Sequence, residues 1–73
     1  MSPEVTDAAI REFLKAIADR LEQATGAAKA AQALAAVGHR EQAVTILLDV
    51  EQPLYEVTTF LNAASLIQRC SRA

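Results

Sequence analysis

The one cysteine and the one histidine of the chain, Cys70 and His39, are the side chains best suited to supply a nucleophile and a base. They stand 31 positions apart and fall on separate predicted helices, with no third group placed to orient either. A single Cys and a single His give no zinc-ligand spacing and no dithiol pair. Asp49 and Glu51, the nearest thing to paired carboxylates, point to different faces of a helix. The two glycines, Gly26 and Gly38, make no phosphate-cradling loop. No catalytic, cofactor-binding or metal-ligating residue emerges, and a non-enzymatic protein without a cofactor is expected.

Charge narrows the partners. The net charge is −2 and the isoelectric point about 5.2, which argues against nucleic acid or an anionic membrane as the partner. A helix-turn-helix regulator is the alternative that QALAAVGHREQAVTILL suggests, with a glycine between two short apolar patterns. Its recognition helix would offer only His39, Arg40 and Gln42 near its start, and positions 41–68 hold no Lys or Arg to meet phosphates. The opening MSPEVTDAAIREF has neither a basic n-region nor an apolar h-region. The longest interior run without charge, 57–68, is short of the roughly 20 apolar residues that span a bilayer. A soluble, cytoplasmic chain is expected, and a lone thiol suits a reducing compartment.

The elements read as helices throughout. Alanine supplies 16 of the 73 residues, and no stretch alternates with a period of two. The expectation is one all-α domain over 1–73, a small bundle of three or four helices arranged as hairpins. Its helices are predicted at about 3–23, 27–37, 39–51 and 53–70, with bends at Gly26, Gly38 and Pro53. One continuous helix to Val37 is the alternative for the first two, because the spacing of Ile10, Leu14, Ile17 and Leu21 continues through Ala24, Ala28, Ala31 and Ala35. Ser2 and Pro3 suit the N-cap and the first helical position. Ile10, Phe13, Leu14, Ile17 and Leu21 form the core stripe of the first helix. Asp7 with Arg11, and Lys15 with Asp19, are spaced for ion pairs on the opposite face. The set Ala43, Val44, Ile46, Leu47, Leu48 and Val50 covers more than half of the third helix and predicts cover on two sides.

The bend at 34–50 carries a family resemblance. Gly38, then Ala43 five residues later, Leu47 four after that, and Pro53 near the end resemble the turn and second helix of one tetratricopeptide hairpin, over about 27–53. The resemblance implies two antiparallel helices. A single such repeat needs neighbours to bury its faces.

The last predicted helix holds the candidate site. Leu54, Val57, Phe60, Leu61, Ala64 and Ile67 form its core stripe. On the far side Tyr55, Thr59, Asn62 and Leu66 line up with no charge among them, and from 53 to 71 the only charged residues are Glu56 and Arg69. A helix facing water carries a charged face; this one does not. These four are therefore the candidate protein-binding residues. The function expected is a protein–protein interaction module, a small adaptor, chaperone or inhibitor that self-associates as a homodimer or higher oligomer. A non-catalytic subunit of an enzyme complex is a further alternative.

Overall fold

In the computed structural model, which describes residues 2–72, the chain is one long helical hairpin. Helix α1 (Pro3–Ala36) forms the first arm. The second arm runs α2 (Arg40–Leu47), a 3-10 turn (Leu48–Val50) and α3 (Glu51–Arg72) without a break. Every described element is helical, so the all-α class holds. The bundle of three or four helices does not: two arms lie side by side in an envelope of 54 × 14 × 11 Å.

Sequence alone accounts for the pairing. In α1 the residues turned to the second arm are Thr6, Ile10, Phe13, Ile17, Arg20, Ala24, Ala27, Ala31 and Leu34, spaced alternately four and three apart; each is buried or half-buried. In the second arm they are Ala43, Ile46, Val50, Pro53, Val57, Phe60, Ala64, Ile67 and Ser71, spaced three and four apart and likewise covered. This is the 3.5-residue repeat of a two-helix coiled coil. Phe13 meets Phe60 with ring centroids 5.9 Å apart. Thr6 Oγ1 donates to Ser71 Oγ at 3.3 Å near the open end. Those two contacts fix the register. On α1 the seam tapers, with Ile10, Phe13 and Ile17 toward the terminus and Ala24, Ala27 and Ala31 toward the turn, before Leu34 closes it; the second arm keeps Ile46 and Val50 near the turn.

The turn is built on Gly38, whose φ is +90°, in the region that favours a residue without a Cβ. Gly38 N–H donates to Ala35 O at 3.1 Å and His39 N–H to Leu34 O at 2.9 Å. This pair of bonds is the Schellman closure of a helix end. His39 is at once the residue before α2, its carbonyl accepting from Ala43 N–H at 2.9 Å. Gly38→Val is expected to destabilise the hairpin by about 1 kcal/mol or more, because a β-branched residue tolerates positive φ poorly. Thermal melts of the two proteins check this, and equal melting temperatures would refute it.

Two expected breaks are absent. Helix α1 passes straight through Gly26, so the helices at 3–23 and 27–37 are one. Gly26 lies on the exposed side, and the seam spacing continues across it through Ala24, Ala27 and Ala31. A mid-helix glycine costs about 1 kcal/mol, too little to interrupt a seam that keeps its register on both sides. Pro53 does not open a separate helix either. It is the third residue of α3, in the first turn, where a missing N–H removes little. Gln52, whose helical geometry the following proline disfavours, is helical nonetheless. Relief comes one turn upstream, where residues 48–50 tighten to a 3-10 turn and the arm continues. The predicted helices at 39–51 and 53–70 are thus α2, the turn and α3 on one axis.

Cover is thinner than expected. Among the described residues the buried apolar side chains are Ala24, Ala31 and Ala43 with Pro53, and no large side chain is fully buried. Leu14 and Leu21, assigned above to the core stripe, are exposed, and so are Leu54 and Leu61 of α3. Val44, Leu47 and Leu48, expected to be covered on two sides, are exposed as well. One antiparallel neighbour covers only the narrow seam, whereas a bundle covers a wider stripe.

Candidate functional site

The four residues singled out on the last helix share the outer surface of α3, and all are exposed. Tyr55 is 63% and Leu66 54% accessible, both turned from the seam. They follow one another by one helical turn, so the structure brings them onto a single strip. Thr59 Oγ1 donates to the carbonyl of Tyr55 at 3.1 Å, which spends its hydroxyl proton inside the helix. The strip therefore presents a phenol, a carboxamide, a leucine and a threonine without a free O–H donor. That is a surface suited to packing against another helix, with Tyr55 bringing a large rigid area and one polar tip.

The two flanks of the hairpin differ. On one, Arg20 reaches out of the seam and organises a polar cluster. Its Nε donates to Glu56 Oε2 at 2.9 Å, and its Nη1 to Asp19 Oδ2 at 2.6 Å. Gln23 donates to Asp19 at 3.2 Å and Gln52 to Glu56 at 3.5 Å. The guanidinium also lies 5.8 Å from the Phe60 ring centroid, within cation–π range. Asp19 thus turns to Arg20 rather than to Lys15, with which its spacing suggested a pair. Sequence reasoning missed Arg20. The signal was a basic residue occupying a seam position between Ile17 and Ala24.

Among the described residues the opposite flank carries no such cluster. In an antiparallel pair, the positions that follow the seam on one arm face their counterparts on the other. Here they are Leu14, Leu21, Ala28 and Ala35 on α1 and Leu61, Leu54, Leu47 and Arg40 on the second arm. The Phe13–Phe60 register sets Leu14 level with Leu61 and Leu21 level with Leu54. A shallow groove lined by Ala28, Ala35, Val44 and Leu47 continues the strip toward the turn. Leucine at these flanking positions was legible, but it reads the same whether a third helix of the chain or another molecule covers it.

The Arg20 bond holds the Glu56 carboxyl below the usual carboxylate range; partial burial opposes the shift, and the Arg20 charge and Gln52 add to it. A carboxylate with a depressed folded-state value stabilises the fold fully above its ordinary value and loses that contribution as pH falls through the depressed one. Acidification from neutral pH to about pH 3 is expected to lower the melting temperature more in the native protein than in Glu56→Gln. Equal losses would show that the pair contributes nothing to the acid response.

Residues able to do covalent chemistry are kept apart. His39 sits at the turn and Cys70 in the last turns of α3, at opposite ends of a 54 Å hairpin. No group of three or more His, Cys, Asp or Glu side chains gathers among the described residues. His39, Arg40 and Gln42 lie at the turn beside Glu41, and the two arms run alongside rather than crossing as in a helix-turn-helix. No described helix is long and apolar enough to cross a membrane.

The geometry defines a two-armed helical hairpin with a polar flank, a leucine flank whose charges are confined to Asp7 and Arg40 at its ends, and the outer strip of α3. No family model, no curated protein and no solved structure matches the chain.

Proposed function

We propose that the chain is a non-enzymatic protein–protein interaction module, of the adaptor, chaperone or inhibitor kind, that self-associates in the cytoplasm and also offers Tyr55, Thr59, Asn62 and Leu66 to a protein partner. The observation that carries this reading is that, among the described residues, eleven large apolar side chains are exposed and none is fully buried. The chain exposes 5466 Å2, where a compact monomer of its mass exposes about 4,400 Å2. Its radius of gyration is 16.8 Å, against about 11 Å for a compact chain of its length. Surface of that kind marks interaction sites. A non-catalytic subunit of an enzyme complex is the same reading with an enzyme as the partner. The cytoplasm rests on the lone, exposed Cys70 thiol, which a reducing compartment preserves. The tetratricopeptide resemblance is compatible with this role, since such a hairpin completes its cover with neighbours. The test is capture of partners from the native host by the tagged chain, run beside Leu66→Glu. A partner held by the native protein and released by the variant supports the reading. Equal capture by both proteins, or none by either, overturns the assignment of the outer strip.

A further inference from the structure

The leucine flank is a different surface from the outer strip, and its charges and register identify what covers it. We propose that it is covered by a second copy of this chain, antiparallel to the first, so that two hairpins close into a four-helix bundle. This rests on the reading of the chain as a self-associating module and adds the face and the orientation.

Three observations carry it. The first is area. The surface in excess of a compact monomer is about 1,100 Å2, and a standard interface removes about 800 Å2 from each partner. One more layer on one flank accounts for most of it.

The second is size pairing along the strip. The rows are Leu14 with Leu61, Leu21 with Leu54, and Ala28 with Leu47, each one heptad apart. A two-fold axis through the middle row, perpendicular to the helices, stacks α1 on α1 of the second copy. Leu14 then faces the alanine at position 28 of that copy, and Leu21 faces its own equivalent. On α1 large meets small at both ends, while on the second arm Leu61 faces the leucine at position 47 of the other copy, so the successive layers hold three, four and three leucines. An axis parallel to the helices would instead stack leucine on leucine in two layers and leave the third underfilled.

The third is charge. The strip ends in Asp7 near the termini and in Arg40 at the turn, both exposed. Asp7 lies 14 residues from Leu21 on one side, and Ala35, level with Arg40, lies 14 residues away on the other. The antiparallel copy therefore brings Asp7 to the height of Arg40 in its partner, at both ends. A parallel copy brings like charges together at each end.

The experiment uses the whole chain. Light scattering on a size-exclusion column is expected to give twice the 7.8 kDa chain mass at micromolar concentration. Leu54→Glu is expected to weaken the dimer at least a hundredfold. Asp7→Lys and Arg40→Glu are each expected to weaken it about three- to tenfold, and the double variant to recover most of the loss. Spin labels at Val37→Cys, in a Cys70→Ser background, are expected about 45–50 Å apart, from the helical rise on each side of the axis. A monomer at high concentration overturns the proposal. So does a dimer indifferent to Leu54→Glu, or one whose labels lie within about 20 Å, consistent with stacked turns. A dimer lost on Leu66→Glu but kept on Leu54→Glu overturns the assigned face and leaves the interaction module standing. If Leu54→Glu fails to fold, the charge-swap pair decides: recovery supports the antiparallel copy, and no recovery refutes it.

Discussion

Leu66→Glu is expected to leave the hairpin helical and to weaken partner capture by two orders of magnitude or more. Leu66 is 54% exposed on the outer surface of α3, remote from the seam, so a carboxylate there stays hydrated in the free chain. Helicity by circular dichroism should therefore match the native protein. In a dry contact the same carboxylate is stripped of water, and the one cation between 53 and 71, Arg69 one turn on, offsets only part of that loss. That desolvation costs about 3 kcal/mol or more, and each 1.4 kcal/mol is a factor of ten in affinity. Two measurements on one variant decide the matter. Lost capture with retained helicity places the partner on the Tyr55–Leu66 strip. Undiminished capture moves the partner elsewhere on the hairpin. Loss of helicity would mean that the outer surface is needed for folding itself.

Phe60→Ala is expected to remove about 2–4 kcal/mol, most of the roughly 3–5 kcal/mol that a private core of this size supplies. Phe60 is half-buried and meets Phe13 across the seam at 5.9 Å, with Arg20 against its ring at 5.8 Å. The buried apolar side chains on α1 are alanines, which remove little area from water apiece. Truncating Phe60 therefore strips the ring contact and leaves Arg20 without its face. Urea melts at one fixed protein concentration measure the loss. A change below about 1 kcal/mol would show that the cohesion of the hairpin lies outside the seam, in contacts between chains.

How far the sequence could be read depended on what each signal reports. The turn was legible because Gly38 lacks a Cβ and is followed by polar residues before the apolar spacing resumes. The helical class was legible in the alanine content and the long 3.5-residue periodicity. The uncharged strip on the last helix was legible because missing charge is a property of composition. Gly26 misled, because its cost as a helix interior residue is small beside a seam that continues in step through Ala24, Ala27 and Ala31. Pro53 misled because proline in a first turn and proline at a break look alike in sequence. Leu14, Leu21, Leu54 and Leu61 were read as core because periodicity says that a residue wants cover, and is silent on which molecule provides it. Arg20 was passed over because a cation at a seam position becomes intelligible only once Glu56 and Phe60 stand across from it.

The tapering of the seam sets the order in which the hairpin can assemble. A hairpin that zips from its turn closes the shortest loops first, and here those first teeth are Ala31 and Ala43 with the half-buried Leu34 and Ile46, aliphatic side chains that offset only part of the cost of the backbone they immobilise. The large return comes when Phe13 reaches Phe60, which requires a loop of nearly the whole intervening chain to close. Reward is thus placed late, and the transition state must already hold the distant ends together or have its helices preformed. Alanine serves the second route. It is the best helix former, so the turn-proximal half of α1 can stand as helix before it packs, a stiff lever that brings the two aromatic ends within reach.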